Sequence, residues 1–210
     1  EAIVGDLTGA TLEFLPSSIV PFGEFRASFP DGKVLSRQTG FTRNYGSNPY
    51  QFYSSSSRPF LFEGEIDDRF PALERVVAAT VNGEEKAYPF SVIAEEGAVN
   101  DELAGVPIAV FWGAPDTADA LDDPSIADGR AVGAGLAHRR TVDGQVLTFS
   151  PLGDDAYEDR ETGTVWNILG VAIRGPLAGK ELAPVVHANH LWFAWAAFNQ
   201  GGSVYTGSGA

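Results

Sequence analysis

The chain has 210 residues, 44% of them hydrophobic and 11% aromatic, enough for a packed core in one large domain or two small ones. Its formal charge of −14 argues against nucleic-acid or anionic-lipid binding, which needs clustered Lys and Arg, and no apolar run approaches the roughly 20 residues that span a bilayer. There is no Cys, so disulfides, thiolate metal sites and Cys nucleophiles are excluded; with no Met either, the chain reads as a processed product or a piece of a longer polypeptide.

Taken in chain order, residues 1–35 predict an extended entry, a Pro-bounded turn at Pro16 and Pro21, a helix near 21–29 and a Pro30-Asp31-Gly32 stop. Residues 36–72 have the composition of a connecting loop, rich in Ser and pinned by aromatics. Strands dominate from 73. Arg75 to Val81 and Glu84 to Tyr88, joined by Asn82-Gly83, form a strong hairpin signal, because Asn-Gly suits a type I′ turn. Val106 to Trp112 predicts a buried strand, 116–123 an acidic helical turn, and 132–141 with 145–149 a second hairpin about Asp143-Gly144. Tyr157 to Asp159 and Val171 to Arg174 predict short strands flanking the Thr162-Gly163 turn, and 190–199 a final helix. The expected fold is α+β, mainly β, built of antiparallel hairpins with a few short helices filling less than about a quarter of the chain.

The first dozen residues recur near the other end. Ala2-Ile3-Val4-Gly5-Asp6-Leu7-Thr8-Gly9-Ala10-Thr11-Leu12 is echoed by Ala172-Ile173-Arg174-Gly175-Pro176-Leu177-Ala178-Gly179-Lys180-Glu181-Leu182, with six of eleven positions identical at a shift of 170. An aromatic stretch follows each (Phe22, Phe25, Phe29; Trp192, Trp195, Phe198), then an apolar pair, Val34-Leu35 or Val204-Tyr205. The pattern predicts an internal duplication: residues 1–35 as the tail of a preceding copy, 36–72 as a connection, and 73–206 as a complete second copy.

Four places carry residues with possible chemistry. In Asp159-Arg160-Glu161-Thr162-Gly163-Thr164-Val165-Trp166, an acid–base–acid run before an indole suits a carboxylate in a pocket, or equally a surface turn of weak ion pairs. His187 and His190, three apart, suit a shared divalent metal if helical, or a helix cap at Asn189 if not. Glu63 to Asp68 and Asp116 to Asp123 are acidic enough for calcium but lack its helix–loop–helix spacing, and read better as solvated surface. Arg43, Asn44, Tyr45, Asn48 and Tyr50 form a loop suited to stacking and amide hydrogen bonds with a ligand or partner. Phosphate-cradle, dinucleotide and nucleophile-elbow motifs are missing.

Ala87-Tyr88-Pro89-Phe90, Val99-Asn100-Asp101, the strand ending at Trp112, Tyr157 to Trp166, Gly175 to Lys180 and Trp192…Trp195 recur in one order. Over residues 73–206 this resembles the bacterial and archaeal domain-of-unknown-function family numbered 3179. The resemblance implies a His-Glu pair just before Val99 and a Cys-Pro-Leu-Cys-like turn after the next strand, both suited to metal or redox work. Here those places hold Glu96-Gly97 and Trp112-Gly113-Ala114-Pro115, so the scaffold is kept and the ligands are not. The expectation is therefore an extracytoplasmic, non-catalytic binding or structural domain, its partner a protein or another copy of the same domain. The acidic surface with only three Lys suits such a setting. The alternative is a metal-assisted enzyme using His187 and His190 with Asp159 or Glu161, and Arg160 stabilising negative charge; a divalent metal is the one cofactor considered.

Overall fold

A computed structural model describes residues 2–45, 47–153 and 155–208. Its elements in order are α1 (Phe22–Ser28), β1 (Arg75–Val81), β2 (Glu84–Pro89), α2 (Phe90–Glu96), β3 (Ala98–Leu103), β4 (Val106–Gly113), β5 (Ala134–Arg139), β6 (Thr141–Val142), β7 (Gln145–Val146), β8 (Phe149–Gly153), β9 (Ala156–Asp159), β10 (Val165–Asn167), β11 (Ala172–Arg174), β12 (Val186–Leu191), α3 (Trp192–Phe198) and β13 (Ser203–Val204). Helix accounts for 12% and strand for 33%, an α+β, mainly β fold.

Three sheets stack in layers. The first has the order β12-β1-β2-β13, the second β3-β4-β5, and the third β11-β10-β9-β8. Alternation along β1 explains the stacking: Val77, Ala79 and Val81 face the second sheet, while Val76 and Ala78 face α3. Strand β4 is covered on both sides, with Ile108 and Val110 toward the first sheet and Ala109 and Phe111 toward the third. That is why 106–112 reads as one apolar run. Between the second and third sheets, Phe111 stacks on Tyr157 with centroids 4.0 Å apart and meets Phe149 edge-on at 5.1 Å; Phe149 meets Trp166 edge-on at 5.9 Å.

The first hairpin forms as expected, with Asn82 at φ 51° and Gly83 at φ 83° in the left-handed region a type I′ turn requires. Several expectations fail. The second hairpin shrinks to the two-residue ribbon β6–β7, because β5 ends at Arg139 and Phe149 belongs to β8, paired with β9. Residues 116–123 form no helix; Ala118 bridges Ala131 and the loop turns back on itself. The last helix starts at Trp192, not 190, because β12 runs to Leu191 in register with Arg75 of β1. The strand across the Thr162-Gly163 turn from β9 is β10, not β11. Helix α2 and strand β3 carry no strong local signal; Phe90 and Ile93 bury one side of α2 in the core.

Candidate functional site

Helix α3 packs on the outer face of β1 and β12 through Trp192, Trp195 and Ala196. The Trp192 indole donates to the Asp67 carbonyl at 2.8 Å, and the Arg69 guanidinium, itself paired with Asp67 at 2.8 Å, lies 5.0 Å over its ring. At the far end, Glu85 of β2 gathers three donors: the Trp195 indole, the Asn199 amide at 3.0 Å and the Thr80 hydroxyl at 3.2 Å. Small residues on the sheet face leave a cleft of about 500 Å³ between sheet and helix, walled by Phe14, Ala78, Thr80, Ala188, His190 and Trp195. Its walls suit an apolar group, and its one carboxylate is already satisfied.

The second apolar feature is a surface. Among the described residues, seventeen of the twenty-two exposed large hydrophobic side chains precede residue 62, including Phe14, Ile19, Phe22, Phe29, Leu35 and Phe41. Helix α1 buries none of its residues. It is tied down by polar contacts, with the Asn167 amide donating to Glu24 at 3.2 Å and to Ser28 at 3.3 Å.

The predicted site residues scatter. Asp159 is fully buried and accepts from the Thr162 amide at 2.6 Å, the Thr162 hydroxyl at 2.9 Å and the Trp166 indole at 2.9 Å. It closes a turn. Arg160 stands exposed, and Glu161 reaches across to accept from the Thr148 amide at 2.7 Å. Asn48 is buried and spent: its amide donates to the Asp123 carbonyl at 3.0 Å and its oxygen accepts from the Tyr50 amide at 2.7 Å. Arg43 lies 5.9 Å over the Phe41 ring, Tyr45 bonds Thr39 at 2.6 Å, and Asn44 and Tyr50 are exposed.

The helical pairing expected of His187 and His190 does not form. Both sit on β12, where positions three apart project from opposite faces. His187 is buried, its Nδ1–H donating to the Val185 carbonyl at 2.8 Å while Nε2 has no partner; burial holds its pKa down. His190 is exposed, on the cleft side. Among the described residues no three His, Asp or Glu side chains gather as a metal would need. His138 is also buried, its Nε2–H donating to the Ile168 carbonyl at 3.0 Å; burial, opposed by that bond and helped by His187 nearby, pushes its pKa down to about 4.

The two places where the resemblance implies ligands do meet, since the Trp112 amide donates to the Gly97 carbonyl at 2.9 Å. Their occupants are held by local hydrogen bonds, except that the buried Trp112 indole nitrogen has no partner among the described residues. Glu96 accepts from the Tyr205 hydroxyl and the Ser208 amide, each at 2.9 Å, and the Ala114 amide donates to Asp155 at 2.6 Å.

Sequence reasoning missed Glu85, Asp101 and Asp119. Asp119, read as solvated surface or calcium loop, is buried against Arg75 with Arg130 at 3.5 Å. Burial pulls its pKa up, but the Leu121 amide, the Ser54 hydroxyl and Arg75 outweigh that and hold it below the ordinary carboxylate value. Asp101 is held down in the same way, against burial, by Lys86 at 2.7 Å, the Glu102 amide and Tyr88 at 2.9 Å.

Residues 1–202 match the family described as "Protein of unknown function (DUF3179)". The chain belongs to this family. The family match includes residues 1–72, which the motifs quoted above do not reach. Nothing among curated proteins or solved structures matches the chain.

Proposed function

We propose that this member of the family is a non-catalytic assembly module that binds a protein partner through the apolar face of its first 62 residues. The observation that carries this reading is the concentration of exposed large hydrophobic side chains there, around a helix with no buried residue. Monomers rarely leave contiguous apolar patches beyond a few hundred Å² open to water, and larger ones mark interaction surfaces. The cleft beside α3, flanked by Phe14, then receives an apolar side chain of the partner. The acids support a structural reading as well, because Asp101, Asp119 and Asp159 each accept hydrogen bonds from neighbouring packing elements, Asp119 through one oxygen while its other faces Arg130 at 3.5 Å. An extracytoplasmic setting fits the acidic composition with only three Lys. No contact favours the metal-assisted alternative, since His187 and His190 sit on opposite faces of one strand and Asp159 lies in another sheet.

Sedimentation of the purified chain with a hydrophobic dye tests the reading. Expected are self-association or dye binding in the wild-type chain and loss of both in the variant Phe14→Ser, Ile19→Ser, Phe22→Ser. A wild-type chain that is monomeric at all concentrations and binds no dye refutes it.

A further inference from the structure

We propose that residues 2–35 are the closing strand and helix of a second unit of this fold, encoded upstream in the same polypeptide, and that this unit meets β12 across a local two-fold axis at Ser17 and His187. The proposal rests on the assembly reading and names its partner.

The 170-residue echo extends to the backbone. In the first copy the Ala2 amide donates to the Ala10 carbonyl at 2.8 Å, Gly9 to Ala2 at 2.8 Å, Ala10 to Leu7 at 2.9 Å and Thr8 to Gly5 at 3.1 Å. In the second, Ala172 donates to Lys180 at 2.9 Å, Gly179 to Ala172 at 2.8 Å, Lys180 to Leu177 at 2.9 Å and Ala178 to Gly175 at 3.1 Å. Gly5 and Gly175 share a left-handed φ (91° and 110°), as do Gly9 and Gly179 (88° and 85°), the conformation that favours glycine. Helices α1 and α3 are both seven residues long, and their bounds differ by the same 170. Their ends match too: Phe29 to Phe25 at 2.8 Å and Gly32 to Phe29 at 2.8 Å, against Asn199 to Trp195 at 3.0 Å and Gly202 to Asn199 at 2.8 Å.

What differs is the cover. Helix α3 buries Trp192 and Trp195 on β1 and β12, whereas Phe22, the counterpart of Trp192, is 62% exposed. Leu35, the counterpart of Tyr205, is 96% exposed. A seven-residue helix is marginal without tertiary packing. Residues 2–35 therefore repeat the glycine loop and the helix of the second copy without the sheet on which α3 packs.

The axis comes from one bond. Ser17 donates its amide to the His187 carbonyl at 3.1 Å, on the edge of β12 that β1 leaves open, and these are equivalent positions in the two copies. Phe14, three residues before Ser17, shares the cleft with His190, three after His187. Val20, three after Ser17, packs instead on the core that holds Leu182. The segment thus runs antiparallel to β12. Two segments that run antiparallel and touch at equivalent residues, Ser17 and His187, are related as a local two-fold axis would relate them. The far edge of 16–21 is then left for a strand equivalent to β1, whose hairpin would cover Phe22 as β1 covers Trp192. Because residues 2–35 correspond to a unit's end and precede this unit, the rest of theirs lies upstream.

The test mixes the 1–210 chain with the separately expressed segment preceding it in the natural polypeptide. Expected is a one-to-one complex in which amide exchange at Ile19–Ser28 slows by about tenfold or more. The variant Ile19→Asp, Phe22→Asp should lose the complex yet melt like wild type, since both side chains are exposed. A natural polypeptide without such a segment, no complex, or a complex leaving 19–28 exchanging at the free rate overturns the inference. If the 1–210 chain still self-associates through that face, the assembly reading survives alone; if it is monomeric and binds no dye, both fall.

Discussion

Asp159 is the sharpest place to separate a structural carboxylate from a catalytic one. Its oxygens hold three donors within 2.9 Å, two of them, the Thr162 amide and the Trp166 indole, tied to groups with little access to water. Hydrogen bonds to a charged acceptor contribute about 1.5–3 kcal/mol each, and a buried donor left without a partner costs about 1–3 kcal/mol. The bonds share one turn and do not add fully. Asp159→Ala should therefore lose about 3–5 kcal/mol, since the Thr162 hydroxyl retains Thr164 at 2.6 Å while the Thr162 amide and the Trp166 indole lose their acceptor. For a chain of this size that lowers the melting midpoint by roughly 6–20 °C. Asp159→Asn keeps one acceptor oxygen and should lose roughly half as much. Urea unfolding with both variants measures the effect. A loss below about 1 kcal/mol for Asp159→Ala would refute the reasoning and return Asp159 to the candidates for chemistry.

Burial holds His138 at about pH 4 against an ordinary 6.5, so below 6.5 the unfolded chain binds the extra proton. Stability from the neutral imidazole is complete above about pH 6.5 and falls by roughly 3 kcal/mol as pH drops toward 4. His138→Gln should flatten that limb in urea unfolding across pH, and parallel curves would contradict the assignment. Asp101, held below its ordinary 3.8, acts at a lower pH: its contribution is full above that value and lost as pH falls through the folded pKa. The stability gap between wild type and Asp101→Asn should accordingly narrow below about pH 4, and a gap constant from pH 6 to 3 would count against it. In zinc titrations of the purified chain, His187→Ala and His190→Ala should leave any binding unchanged, because the two rings project from opposite faces of β12; a loss of affinity in either would revive a metal site.

The local rules were legible where neighbours in sequence are neighbours in space. Asn82-Gly83 specified its turn, and the aromatic spacing after Pro21 and Leu191 specified two helices. Gly5, Gly9, Gly175 and Gly179 specified two like loops, since only their backbones tolerate that φ. The charge run at 159–161 had two readings, because sequence lists which groups are charged but not which are removed from water. The third sheet decided between them by packing Trp166 over Asp159, while Arg160 stayed in solvent. The end of β12 was likewise undetermined locally. Residues 190 and 191 have helical neighbours, but β1, more than a hundred residues earlier, holds them extended through Val76 and Arg75. Strand pairing is a contract between distant segments, and its backbone hydrogen bonds override the weak helical preference of two residues. Helix α1 shows the converse: its local sequence made the element, yet none of its residues is buried and Phe22 stands in water.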